Sequence, residues 1–377
     1  MRKNYIFLLG TLFISCISNA QFCLTKGDHL LELGGNVLAG YNYRFYQSTE
    51  KDHHKNNFII DQARIDLKGR VGTTLQYKLE VDMADLVADI QTPTTSMGVI
   101  KDAYIDYKTK FFSLRAGYQK LPYGFNSQVS EEDDPFVQRP SLVNKINSRR
   151  DEGVTLSHWF PMMHLNVIGG IYSGLGDQVF AVDNTNGKPE FLGRIEYSYP
   201  GRSMDQIIDF HDAPMPMLQF GVNAKYKEGT VTTGEDYSLL TINGKKTSYG
   251  ADASIMYKGL SLQVEAHQLH VVPFDSTRLY SQGKTYTYFK AGGYLAELNY
   301  YCKKWKSVFA LRYDELNPTD LTYGDTQRTI TYAYNYLIHQ NFLCLKLQYQ
   351  QHLNLDYPSD TRYKDDEVRA ILQVIFN

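Results

Sequence analysis

Along most of the chain, apolar and polar residues alternate. Between Gln219 and Tyr226, the residues Phe220, Val222, Ala224 and Tyr226 fall on one side, and Gln219, Gly221, Asn223 and Lys225 fall on the other. A period of two belongs to a strand, not a helix. Comparable runs occupy residues 76–83, 261–266, 329–338 and 369–376. In the run ending at Ile338 the apolar set is Ile330, Tyr332, Tyr334, Tyr336 and Ile338, opposed by Thr329, Thr331, Ala333 and Asn335. Aromatic residues gather near the ends of these runs.

The connections alternate in length. Short turns fall near residues 69–74, 108–111, 161–163, 257–259, 302–305 and 339–340, with residues 200–217 as one long exception on that side. Between them lie longer polar segments: 47–56, 86–97, 119–150, 173–189, 228–245, 273–284, 317–326 and 356–367. Eight long loops alternating with seven shorter turns predict about 16 strands, the even count of a bacterial outer-membrane barrel. A soluble propeller or sandwich also alternates. It would turn its polar face outward, however, and has no need of tyrosines at the ends of so many runs. A membrane barrel presents apolar residues to lipid, polar residues to a wet lumen and Tyr to both interfaces. The fold class expected is therefore all-β, a transmembrane antiparallel barrel. Both chain ends fall on the periplasmic side, where the turns are short.

The N-terminus reads as a secretory signal over residues 1–20, followed by the barrel domain at 21–377. Arg2 and Lys3 precede an apolar stretch from Tyr5 to Ile17, and Ser18 and Ala20 stand at −3 and −1 of a cut before Gln21. That stretch is too short for a comfortable membrane span. A lipoprotein cut before Cys16 fits Phe13 poorly. Composition agrees: mean hydropathy is −0.39, which excludes a bundle of transmembrane helices, and 30 of the 377 residues are Tyr. Lys and Arg number 39 against 41 Asp and Glu, which argues against a nucleic-acid binder. After the signal, Cys23, Cys302 and Cys344 remain without a CxxC pair, so neither a zinc nor a redox motif has support.

The stretch from residue 98 to 160 carries a resemblance. It contains Asp102-Ala103-Tyr104-Ile105-Asp106-Tyr107, then Arg115, Gly117, Lys120, Pro122 and Gly124, then Arg139, and then Arg149, Asp151 and Gly153. Upstream, Gln62-Ala63-Arg64-Ile65-Asp66-Leu67-Lys68-Gly69 matches a further strand, with Gln62 a departure. These motifs, over about a third of the chain, resemble the phosphate-selective porin O and P family. The resemblance implies a 16-stranded, usually trimeric outer-membrane porin whose long third loop folds into the lumen and narrows it. The C-terminus fits in part: Phe376 is an aromatic end signal displaced by one residue, before Asn377.

The candidate site is that third loop and its neighbours. Arg115, Lys120, Arg139, Arg149 and Arg150 are the candidate constriction and anion-binding residues, because rings of cations select anions and Arg offers a forked donor. Lys145 lies in the same loop, against Glu131, Glu132, Asp133 and Asp134. The cations prevail only if that acidic run sits away from the throat. Among strand residues, Arg64, Lys68 and Arg312 are expected to line the lumen, with Arg194, Lys225, Lys346 and Arg369 also inward. They face Asp66, Glu80, Asp82, Asp102, Asp106, Glu196, Glu265, Glu297 and Asp314. This near balance says pore more than anion pore, and weak and strong selectivity both stay open.

The function expected is passive diffusion of small hydrophilic solutes or anions through a barrel seated in outer-membrane lipid. No cofactor, metal or nucleic acid is expected. The rival is a plugged barrel that binds or adheres through its surface loops. An enzyme is disfavoured: His267 on an inward run and His53-His54 on a loop lack a serine elbow or a His-x-x-x-His pair, and no phosphate-cradling Gly loop is present.

Overall fold

The computed structural model describes residues 22–45, 56–86, 99–146, 149–176, 188–201, 204, 206–229, 244–274, 280–281, 284–321, 325–353 and 366–376. The expected signal at 1–20 and the histidines at 53 and 54 lie outside them.

Among the described residues, sixteen strands follow one another antiparallel around a single sheet. They are β1 (His29–Arg44), β2 (Asn56–Val71), β3 (Leu75–Asp82), β4 (Ile100–Lys108), β5 (Ser113–Lys120), β6 (Arg150–Phe160), β7 (Leu165–Tyr172) and β8 (Glu190–Tyr199). The second half is β9 (Met217–Gly229), β10 (Gly244–Tyr257), β11 (Leu260–Pro273), β12 (Phe289–Cys302), β13 (Ser307–Asn317), β14 (Gln327–Asn341), β15 (Leu343–His352) and β16 (Glu367–Phe376). The sheet closes: β16 pairs with β1 from Glu367 opposite Arg44 to Phe376 opposite Gly35. Closure matters in lipid because an open edge would leave backbone N–H and C=O groups with neither water nor a partner. A short leading strand, Phe22–Lys26, pairs with the inner end of β1, Phe22 opposite Leu33. It continues the column of β16 below Phe376.

The alternation has the predicted sense. On β9, Phe220 and Val222 are 51% and 56% exposed, whereas Gln219 and Asn223 are 1% and 5%. Apolar side chains face the outside and polar ones the interior, the reverse of a soluble sandwich. Aromatic pairs mark both rims. Tyr332 stacks on Tyr349 at 6.2 Å and Tyr41 meets Phe58 edge-on at 5.3 Å at one end, and Trp305 meets Phe309 at 6.1 Å at the other.

The short turns share one rim. At the β10–β11 turn Gly259 adopts φ +77°, and a Cβ there would stand 2.7 Å from the Tyr301 carbonyl, so this close approach requires glycine. Two β-bulges lie on the other half of the barrel. The register shifts opposite Leu38/Ala39, leaving Asp61 as the extra residue of β2, and again at Glu80/Val81, leaving Lys101 extra on β4. Bulges re-aim side chains, and both occur beside the region described next.

Candidate pore constriction

Between β5 and β6, the described residues 121–146 lie against the inward faces of the opposite wall. The neck closes where Leu121 N–H donates to Arg149 O at 2.8 Å. From there the segment touches successive strands. The Tyr123 hydroxyl bonds Ser248 on β10. Asn126 N–H donates to Glu265 on β11 at 2.9 Å, and its amide to Glu297 on β12 at 3.1 Å. Ser141 N–H donates to Asp314 on β13 at 3.1 Å, and Asn335 on β14 donates to Pro135 O at 3.0 Å. Lys346 on β15 donates to Asp134 O at 2.7 Å, and Gln373 on β16 to Glu132 O at 3.1 Å. Gly124, at φ +74°, has no room for a Cβ beside Glu265. His267, stacked on Tyr123 at 4.8 Å and 2.5 Å from Glu265, belongs to this anchoring.

Apolar contacts complete the docking. A short helix, α1 (Ser141–Ile146), buries Leu142, Val143 and Ile146 against Leu269, Val271, Phe289, Ala291, Leu295 and Leu316. These wall residues point inward, so one part of the interior is apolar. The alternation places them inward but gives no reason for a wet lumen to hold them; the docked helix does.

The free edge of the segment carries the charges. Glu131, in the 3-10 turn Glu131–Asp133, is the hub. Its carboxylate receives Arg149, Arg64, Arg139 (3.3 Å) and the Gln62 amide (2.7 Å). Arg64 also bonds Asp82 at 2.9 Å and lies 3.4 Å from Glu80. Beside it, Asp102 holds Arg150 at 3.1 Å and Lys78 at 2.8 Å. Lys120 donates to Ser130 Oγ at 2.9 Å and Gln128 O at 3.3 Å. Burial alone would raise the Glu131 carboxyl, but Arg149, Arg64 and Arg139 more than offset it and hold it well below the usual range. Burial and the nearby Arg139 push Arg149 down to about 9, still protonated at neutral pH.

The structure thus brings together Lys120, Arg139, Arg149, Arg150 and Arg64, and distributes the remaining candidates elsewhere. Arg115 lies far down β5, paired with Asp106 at 2.8 Å and 4.2 Å above the Tyr104 ring. Five residues of strand, roughly 17 Å, separate it from Lys120. Lys68 sits near the inner rim with Asp66 at 2.9 Å. Arg312 faces inward but is covered: it donates to Gln138 O at 2.6 Å, lies over Phe136 and has no exposed surface. Arg139 is equally a staple, donating to Asn126 O and Val129 O at 2.6 Å each. The acidic run is split, with Glu131 in the midst of the arginines and Asp134 turned toward β15. The condition for cationic dominance, an acidic run away from the throat, is not met. Lys78 was not singled out in the sequence, although it shares the phase of Glu80 and Asp82. The hub role of Glu131 has no signal there, because its partners lie up to 69 residues away.

Two cavities flank the turn Glu131–Asp133. An outer one of about 470 Å³ is lined by Arg44, Asp61, Arg64, Lys101, Glu131 and Arg139, among others. An inner one of about 500 Å³ is lined by Lys68, Glu132, Asp133 and Asn341, among others. The turn Glu131–Asp133 stands between them, and both bulge residues, Asp61 and Lys101, open on the outer one.

A family model described as phosphate-selective porin O and P matches residues 31–190. Over those residues the chain is similar to that family. The porin's fold is shared with solved structures. With an anion-selective porin from Comamonas acidovorans it has 13% identity and a TM-score of 0.59 over 92% of this chain and 100% of the other. With the trimer form of OmpT from Vibrio cholerae the identity is 10% and the TM-score 0.57, over 92% and 99%. With the outer-membrane channel DcaP of Acinetobacter baumannii the values are 14% and 0.57, over 93% and 99%. No curated protein matches by sequence. The family match and the barrel fold together support an outer-membrane porin channel and point away from an enzyme.

Proposed function

We propose that small hydrophilic solutes cross this channel by passive diffusion with a weak preference for anions, set beside the turn Glu131–Asp133. One observation carries the reading. Between the two cavities three arginines, Arg64, Arg139 and Arg149, converge on the one carboxylate of Glu131, with Arg150 beside them. Arg149 Nε and Nη2 and Arg150 Nη2 are buried without a hydrogen-bond partner among the described residues, so these guanidinium groups act on a passing anion through their field rather than by contact. In this reading Lys68 and Arg115 bias the inner half of the path, and Arg312 holds the loop rather than touching solute. The family's description and the anion selectivity named for the Comamonas acidovorans porin support the sign.

The test is the reversal potential of purified protein in a planar bilayer under a salt gradient. A mild anion preference is expected, moving toward cations in Arg149→Ala/Arg150→Ala. A cation-selective wild type, or an unmoved variant, removes these residues from the selectivity argument. Absence of any current would favour a binding protein acting through its surface loops.

Two further features belong to the proposal. The trimer form of OmpT supports a homotrimer, for which cross-linking in mild detergent should trap three subunits; monomer at every concentration would refute it. Residues 1–20 are taken as a cleaved signal, so the mature protein should begin at Gln21, and a retained Met1 would refute that.

A further inference from the structure

Residues 200–216 break the rule that connections at the inner rim are short. A solvated turn of that length would be exposed, yet Met204, Ile207, Ile208, Asp209 and Ala213 are buried. Their partners lie on inward faces. Met204 and Ile207 cluster with Met256 of β10 and with Phe125 and Val129 of the segment entering from the opposite end. Ile208 packs against Val308, Leu337 and Cys344, on β13, β14 and β15. Phe210 meets Tyr301 edge-on at 5.5 Å.

The backbone is satisfied inside as well. Met204 N–H donates to Gln219 at 2.6 Å and Asp209 N–H to Ser261 Oγ at 3.0 Å. The Asp209 carboxylate accepts from Ala213 N–H at 2.9 Å and Gly259 N–H at 2.8 Å. A chain segment that left the lumen would strand these apolar side chains in water and lose the bonds to Gln219 and Ser261. The described part of the segment, Met204 and residues 206–213, therefore crosses the inner mouth and reaches the far wall. Gln206, Phe210 and His211 on it, and Glu132 and Asp133 on the outer loop, border the same inner cavity.

We propose that Met204 and residues 206–213 belong to an inward-folded strap that makes a second, inner constriction, and that this strap sets the largest solute the porin passes. Gln206, Phe210 and His211 are its path-facing residues. The proposal rests on the channel reading. It differs from the outer cluster in kind: the strap narrows by bulk, with few charges, whereas the outer cluster acts by field.

The experiment is single-channel recording of the full-length mature protein in planar bilayers. Replacing residues 206–211 by alternating Gly and Ser should raise conductance at least twofold, admit polyethylene glycols excluded by the wild type and leave the reversal potential unchanged. Unchanged conductance and exclusion limit would overturn the strap. A second variant does not depend on refolding that segment. His211→Cys is made in a Cys23→Ser/Cys302→Ser background that keeps the buried Cys344 beside Ile208, and a bulky methanethiosulfonate reagent is added from the inner side. Loss of at least half the current is expected, and no change would overturn the proposal. A silent wild type with a conducting Gly-Ser variant would refute the open-channel reading and keep the strap. Silence from both proteins would overturn both.

Discussion

Glu131→Gln isolates the electrostatic role of the turn between the cavities. Glutamine keeps an acceptor for Arg149 and a shape close to the original, while the hub loses its negative charge. An ion passing ~6 Å away in water-like surroundings feels ~0.7 kcal/mol from one unit charge. Anions gain and cations lose that amount, so the permeability ratio shifts by ~1.4 kcal/mol, about tenfold before screening. Salt at about 0.1 M has a Debye length of about 10 Å and trims this to roughly threefold to tenfold. The assay is reversal potential in a planar bilayer, with a shift toward anions expected. A shift toward cations, or none, would show that Glu131 does not face the ion path. The same assay has a pH arm. Glu131 is held well below its ordinary 4.5 by Arg149, Arg64 and Arg139, against the opposing effect of burial. A depressed carboxyl stabilises the fold above its unfolded value and loses that stabilisation only as pH falls through its folded value. Wild-type selectivity, so far as Glu131 sets it, should therefore stay flat from pH 7 to about 4.5 and move toward anions only below. An earlier change, centred near the ordinary carboxylate value, would contradict the hub.

Two other outcomes follow from packing. Val222 on β9 is 56% exposed on the outer face, so Val222→Arg should destabilise the barrel by ~2–4 kcal/mol if the position lies near the bilayer midplane; a folding equilibrium in lipid vesicles that moves by less than about 1 kcal/mol would place it outside the hydrocarbon. Arg139→Ala removes the donors to Asn126 O and Val129 O and should loosen the loop by roughly 1–3 kcal/mol per stranded acceptor, seen as rapid current flicker, whereas a quiet trace would assign the anchoring to the other bonds along the wall.

The barrel was legible because each strand writes its two environments in alternate letters. Phe220 and Val222 against Gln219 and Asn223 state both the period and the sense, and the alternating loop lengths give the strand number. The charged cluster around Glu131 was legible only in part. Arg149 and Arg150 could be placed beside Lys120 because they begin the strand that neighbours it. Glu131 could not be placed, since nothing local distinguishes it from Glu132 or Asp134, and its neighbours arrive from β2 and from the far end of its own loop. Leu269, Val271 and Phe289 were hidden for the opposite reason. Their phase says inward, but an apolar inward face has meaning only once α1 rests on it. The length of residues 200–216 was visible, and its inward course was not, because Ile207 and Ile208 have no strand periodicity to orient them.

The seam between β1 and β16 has a consequence for how the molecule is made. Its two sides lie at opposite ends of the chain, so the entropy of bringing them together falls on the last step, after the rest of the polypeptide has been delivered. Until then β1 offers a bare hydrogen-bonding edge, the kind that recruits other chains. The leading strand shortens that hazard. Phe22–Lys26 is joined to β1 by a tight turn and covers its inner portion from the outset, leaving Gly35 to Arg44 for β16. An assembling barrel that loses its first few mature residues should still close, but it would wait for its last strand with more of that edge open to strangers.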